Sequence, residues 1–328
     1  MKTSSSCECT SLKNIVILAL GGTIAGVGNG CNSIGYDAGV IPIDNLIESV
    51  PGISSIANLT GIQIINVDSN DITYKDWKEL VDTINNLSKS PDVDGFVITS
   101  GTDTLEETAF FLNLTIKTNK PVVVTGAMRP STAISADGSI NLYQSVVLAS
   151  CDLALNQGVM VCFNNSIFSA RDIQKTNTFE VNAFSENLAG SLGFIRDNTV
   201  FFFNKTIRPH TVESIFDITN VYNLPKVEIA YFAVEVDPNI LNFLASSCAG
   251  IIIASAGDGG MSKSWISTMN CILNRGTPVI VSTRACNGNV SVENNASIFN
   301  PQKARILLQL ALTTTNEMDK INHYFTVY

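Results

Sequence analysis

Eight apolar runs punctuate the chain, covering 14–20, 61–67, 95–99, 121–125, 158–163, 226–232, 250–254 and 278–282. Most are continuous rather than alternating. A strand with apolar residues at successive positions is buried on both faces, the condition of a parallel sheet covered by helices. The intervals carry helical spacing. Within 75–88, Trp77, Leu80, Val81, Ile84 and Leu87 fall on one face, as the 3.6-residue period requires. The stretches 103–117, 139–155, 238–246, 263–274 and 301–313 read the same way. The pattern predicts an α/β protein with a large N-terminal domain, whose mainly parallel sheet is flanked by helices, and a smaller C-terminal α/β domain. The rhythm breaks at 205–225, which holds Arg208-Pro209-His210 and Leu224-Pro225 and reads as a linker. The large domain is then 13–204, carrying the candidate chemistry, and the small one 226–328. Residues 1–12 are polar and Ser/Cys-rich and read as a disordered tail.

Composition narrows the function classes. The 328 residues are 45% hydrophobic and 15% charged, with a net charge of −9. That balance argues against nucleic acid as a partner. No apolar run approaches the ~18 residues of a membrane span, so no membrane partner is expected. The first apolar run is short and leads straight into Gly21-Gly22. It reads as a core strand rather than a signal segment, so the expected location is cytoplasmic, or secreted or periplasmic if a leader was removed. Eight cysteines occur without a C-x-x-C pair or a nearby histidine. Free thiols and no metal site are the expectation.

Four successive runs end in polar clusters: Gly22-Thr23, Asp68-Ser69-Asn70-Asp71, Ser100-Gly101-Thr102-Asp103 and Gly126-Ala127-Met128-Arg129. Right-handed crossovers place such loops along the carboxyl edge of a parallel sheet, where α/β proteins bind ligands. One cluster alone often serves only to cap the next helix; four that converge make a site. The only histidines are His210 and His323, which disfavours a Ser-His-Asp triad. The P-loop pattern is absent, and Gly26-Val27-Gly28-Asn29-Gly30 breaks the dinucleotide spacing at Cys31. What remains is a hydroxyl nucleophile activated by a lysine or tyrosine. Composition does not choose that lysine among the others.

The motifs then identify a family. Gly21-Gly22-Thr23-Ile24-Ala25-Gly26, Gly101-Thr102-Asp103-Thr104-Leu105-Glu106-Glu107-Thr108, Gly126-Ala127-Met128-Arg129-Pro130-Ser131, Ser135-Ala136-Asp137-Gly138, Arg171-Asp172, Lys175-Thr176-Asn177-Thr178 and Asn300-Pro301-Gln302-Lys303-Ala304-Arg305 together resemble the bacterial-type L-asparaginases, the type II group that includes the glutaminase-asparaginases. The resemblance covers about 14–328. It implies that Thr23 is the nucleophile, activated by Tyr36 on a mobile lid spanning 26–39. Lys175 would act as a base through Thr102, which positions water. Asp103, with Asn70, would meet the substrate ammonium, and Ser69 its α-carboxylate. Ala127 would take the leaving amide nitrogen through its carbonyl, and the backbone around Thr23, Gly101 and Thr102 would supply donors to the oxyanion. Asp137 reads as structural.

The resemblance also implies L-asparagine as substrate, L-aspartate and ammonia as products, no cofactor, and a homotetramer built as a dimer of dimers. A broader glutaminase-asparaginase and a non-catalytic amino-acid sensor on the same fold are the alternatives. The chain departs from the family pattern in places. Ser100 stands where a histidine is frequent, and Asn70 where a longer Gln or Glu is common. Asp258, in Gly257-Asp258-Gly259-Gly260, replaces an Asn or Ser offered by a neighbouring subunit, and Glu293 is the candidate for a glutamate supplied across the dimer. Ser90 and Thr118 stand where a secreted relative has a disulfide, which fits a reducing compartment.

Overall fold

The computed structural model describes residues 12–28, 30, 35–186 and 188–328. The tail expected over 1–12, apart from Leu12, and Cys31 lie outside the described residues, as do 29 and 31–34 of the expected lid. The chain divides into two compact units, Met1–Ser214 and Ile215–Tyr328.

The first unit is built on an eight-stranded sheet. Its order from one edge is Thr199–Phe202, Gly193–Arg196, Ser166–Ser169, Val159–Phe163, Val122–Thr125, Gly95–Thr99, Lys13–Gly21 and Ala57–Val67. The last five strands pair in parallel and the first three attach antiparallel. Both faces of the four inner parallel strands are covered, while the edge strand Ala57–Val67 is largely exposed or half-buried. Ile15, Ile17, Val97, Val123 and Met160 pack with Leu142 and Val146 of the helix Gly138–Ala149. On the other face Phe96, Ile98, Val122 and Val124 are also buried. The helix Leu105–Thr115 packs against Val122–Thr125 and Val159–Phe163. This two-sided burial is why the runs carry no polar alternation.

The chain order places the first strand between the second and the third. The crossovers therefore leave in opposite directions from Lys13–Gly21 and Gly95–Thr99, and the crevice between their carboxyl ends is the topological switch point of the sheet. Thr23 follows one of these strands and Thr102 the other.

The register at the switch point depends on two glycines. Gly22 has φ +80°, and a Cβ there would lie 2.2 Å from the backbone nitrogen of Gly101. At Gly101 a Cβ would lie 2.8 Å from Ser69 Oγ. Only hydrogen in place of a side chain lets the three loops touch. The Thr104 hydroxyl completes the contact by donating to the Ser69 carbonyl at 2.8 Å.

The helix expected at 75–88 is Tyr74–Leu87, with Trp77, Leu80, Val81 and Ile84 buried. Its start is fixed by Thr73, whose N–H and hydroxyl both donate to Asp76 Oδ2, at 2.8 and 2.6 Å. The helix expected over 139–155 stops at Ala149, and a separate short turn, Asp152–Ala154, follows it. Within 205–225, His210 and Thr211 are buried, and the Lys117 amine donates to the carbonyls of Thr211 and Ser214.

The second unit has a parallel three-stranded sheet, Val227–Tyr231, Gly250–Ser255 and Val279–Thr283. Trp265 of the helix Lys263–Asn274 is fully buried beneath it and donates through Nε1 to the Val236 carbonyl at 2.8 Å. Among the described residues no helix is long and apolar enough to cross a membrane.

Candidate active site

A cavity of about 340 Å³ opens at the switch point, lined by Thr23, Tyr36, Ser69, Thr102, Asp103 and Lys175 among others. Five elements deliver these side chains. Thr23 opens a short 3₁₀ turn, Thr23–Ala25, after the first strand. Tyr36 comes from the two-residue strand Tyr36–Asp37, paired with Val27–Gly28. Ser69 opens the turn Ser69–Asp71 after the second parallel strand, and Thr102 and Asp103 precede the helix Leu105–Thr115. Lys175 ends the strand Ile173–Lys175, which forms a separate hairpin with Phe184–Glu186.

Two close side-chain pairs line this cavity. Thr23 Oγ1 and the Tyr36 hydroxyl are 2.7 Å apart. The Lys175 amine donates to Thr102 Oγ1 at 2.9 Å and to Asp103 Oδ1 at 2.5 Å. Both threonines are buried as residues, with their side chains at the cavity wall. The hydrogen bond from Lys175 holds the Asp103 carboxyl below its ordinary value; burial opposes it, while the Lys175 charge and the Asn70 amide add to the lowering. An ionised carboxylate at this rim suits a substrate cation.

The Asn70 side-chain amide donates to Asp68 Oδ1 at 2.8 Å and to Asp103 Oδ2 at 3.4 Å. It steadies the two acids, and Asp68 itself lines the cavity. Ala127 is fully buried beside Met128, which also lines the cavity. That loop is pinned by Asp137, whose carboxylate accepts the N–H groups of Met128 and Arg129 at 3.0 and 2.9 Å, a structural role. Thr178 and Phe179 line the cavity too. Thr178 stands inside a quoted motif; Phe179, a lone aromatic among polar residues, carries no signal in the sequence. Asp258 and Glu293 belong to the second unit and are exposed there; Asp258 Oδ1 accepts the Ser291 N–H at 2.5 Å. Among the described residues no His, Cys, Asp and Glu group is arranged to hold a metal ion.

The hairpin that carries Lys175 also carries a half-buried acid. Glu186 Oε1 has no hydrogen-bond partner among the described residues. Burial, reinforced by the charge of Asp172, pushes the Glu186 carboxyl from 4.5 up to about 7. The native chain thus binds this proton more tightly than the unfolded chain does. Stability from this group is complete below 4.5 and is lost as pH rises towards 7. Glu186→Gln is expected to raise the urea midpoint at pH 8 and leave it unchanged at pH 4. An equal change at both would show that the carboxyl does not titrate in this window.

Comparison with known proteins finds matches along nearly the whole chain. The family model "Asparaginase, N-terminal" matches residues 14–208 and "Glutaminase/Asparaginase C-terminal domain" matches 226–325. An L-asparaginase 2 of Bacillus subtilis (strain 168) is 43% identical, over 100% of this chain and 90% of its own. A glutaminase-asparaginase of Acinetobacter glutaminasificans is 42% identical, over 96% of this chain and 99% of its own. Among solved structures, that of a probable cytoplasmic L-asparaginase from Campylobacter jejuni superposes with a TM-score of 0.93 at 44% identity, covering 96% of this chain and 100% of that one.

Proposed function

The chain belongs to the asparaginase and glutaminase-asparaginase family, and on that premise we propose that it hydrolyses the side-chain amide of L-asparagine to L-aspartate and ammonia through an ester on Thr23. The observation that carries this reading is the presence of two threonine hydroxyls, each with its own activator, on one cavity.

In the first half, Thr23 Oγ1 attacks the amide carbon and its proton passes towards Tyr36. The C–N bond breaks as Tyr36 passes a proton on to the nitrogen, which leaves as ammonia past the Ala127 carbonyl. In the second half, a water held by Thr102 attacks the ester. The Lys175 amine, having shed its own proton, draws off the water's proton through the Thr102 hydroxyl, and Thr23 Oγ1 leaves with the proton of the new carboxyl group, so that the aspartate carboxylate forms. Backbone N–H groups at Thr23, Gly101 and Thr102 stabilise the oxyanion in both halves, and removing one such donor costs ~3–4 kcal/mol. Asp103 binds the α-ammonium, held in place by Asn70, and Ser69 binds the α-carboxylate. The reaction needs no cofactor.

A homotetramer built from close dimers is part of the same proposal, with Asp258 and Glu293 completing a neighbouring subunit's site. So is residence in the cytoplasm, where exposed free thiols such as Cys271 and Cys286 persist.

The test is ammonia release from asparagine and from glutamine at equal concentration. Release several-fold faster from asparagine is expected. Equal rates would replace this reading with a broad glutaminase-asparaginase. Binding of either amino acid without release would replace it with a sensor.

A further inference from the structure

We propose that Glu106 is a positioning residue that sets the distance between the Lys175 amine and the Thr102 hydroxyl. The proposal rests on the roles given above to Lys175 and Thr102, but a separate observation carries it. Glu106 lies in the first turn of Leu105–Thr115 and is only 4% exposed. Its Oε2 accepts the main-chain N–H of Lys175 at 2.5 Å, across 69 positions of chain.

Lys175 is therefore held at both ends. Glu106 holds its backbone, and Thr102 and Asp103 hold its amine. All three partners fall within 102–106, on one loop and the helix turn it enters. The segment closes a ring: Thr102 hydroxyl, Lys175 side chain, Lys175 N–H, Glu106 carboxylate, and back along the main chain to Thr102. The lysine needs such a fixture. Its own strand has only three residues and a single antiparallel partner, Phe184–Glu186, too short to be stiff alone. A lysine stem adds four rotatable bonds, so any drift of the backbone passes to the amine. Misplacement of a reacting group by about 1 Å costs about 100-fold in rate. Glu106 is not among the residues lining the cavity, so it acts through Lys175 rather than on substrate.

What the staple requires is an acceptor oxygen at the end of a side chain of this length. Glutamine supplies one. Aspartate keeps the charge but falls one methylene short. The informative set is Glu106→Gln, Glu106→Asp and Glu106→Ala. The readouts are kcat, KM for asparagine, and hydrogen–deuterium exchange at the Lys175 amide. Glu106→Gln is expected within about 3-fold of the wild-type kcat, with the amide still protected. Glu106→Asp and Glu106→Ala are expected to lose about 30-fold or more in kcat, with KM moved less than about 3-fold and faster exchange at Lys175.

The reverse order, with Asp active and Gln inactive, would overturn the proposal in favour of a charge effect. Unchanged kcat or exchange in the Asp variant would overturn it outright. Should the Ala variant fail to fold, the Gln and Asp pair decides alone. A wild type that releases no ammonia would defeat the asparaginase reading, whereas exchange at Lys175 across the variants would still decide the staple.

Discussion

Thr23→Ala is expected to lower kcat for asparagine by at least about 100-fold, because an ester cannot form without the hydroxyl and no other group replaces it. The loss belongs to chemistry rather than folding. Thr23 lies in a short turn after the first strand, and its hydroxyl bonds to Tyr36 at the wall of a cavity. Removing it leaves the strand pairing and the Gly22–Gly101 contact in place, so the urea midpoint should stay close to wild type. Thr23→Ser, which retains the oxygen, should recover much of the rate. If Thr23→Ala turned over asparagine at a near-normal rate, the nucleophile would have to be another group.

The second large effect concerns Thr102 and Lys175 as a unit. Their side chains meet at 2.9 Å. If the amine works only through that hydroxyl, either loss disables the same step. Thr102→Val and Lys175→Met should each lose at least about 100-fold in kcat, within the range of one proton-transfer group. The double variant should be no slower than the worse single variant, within about 3-fold, because coupled groups are not additive. Losses that multiply would mean the two residues serve separate steps. Lys175 also carries the ion pair to Asp103, so KM should rise in Lys175→Met and change little in Thr102→Val.

The parallel core was legible because its physics is local. Runs such as Phe96-Val97-Ile98 have no polar side to expose, and a glycine or acid cluster marks where each strand gives way to a loop. The three antiparallel strands at the sheet edge went unread. Each has only four residues, and Thr199–Phe202 is partly exposed. The signal lay in the turns instead: Asn164, Asn165 and Asp197 all take positive φ, at 47°, 65° and 51°, the conformation that tight hairpins demand and Asn and Asp tolerate.

The candidate site divides in the same way. Thr23, Thr102 and Asp103 follow buried strands and Ser69 follows the long edge strand Ala57–Val67, so strand ends pointed to them. Tyr36 and Lys175 sit on strands of two and three residues. No periodicity exists at that length, and only the resemblance of motifs singled them out. Glu106 looked like an ordinary acid in the first turn of a helix, where the dipole favours one. Its reach to a backbone 69 positions away is a property of the folded chain. Asn70 was legible as a polar group at the site, but its engagement with Asp68 and Asp103 depends on the turn at Ser69–Asp71.

The most direct measurement is an acid quench within the first turnover with asparagine, followed by mass mapping of the peptides. An aspartyl ester on the peptide containing Thr23, accumulating further in Thr102→Val and absent in Thr23→Ala, is the expected result. An ester on the Thr102 peptide, or ammonia released with no covalent adduct in any of the three proteins, would contradict the two-hydroxyl mechanism.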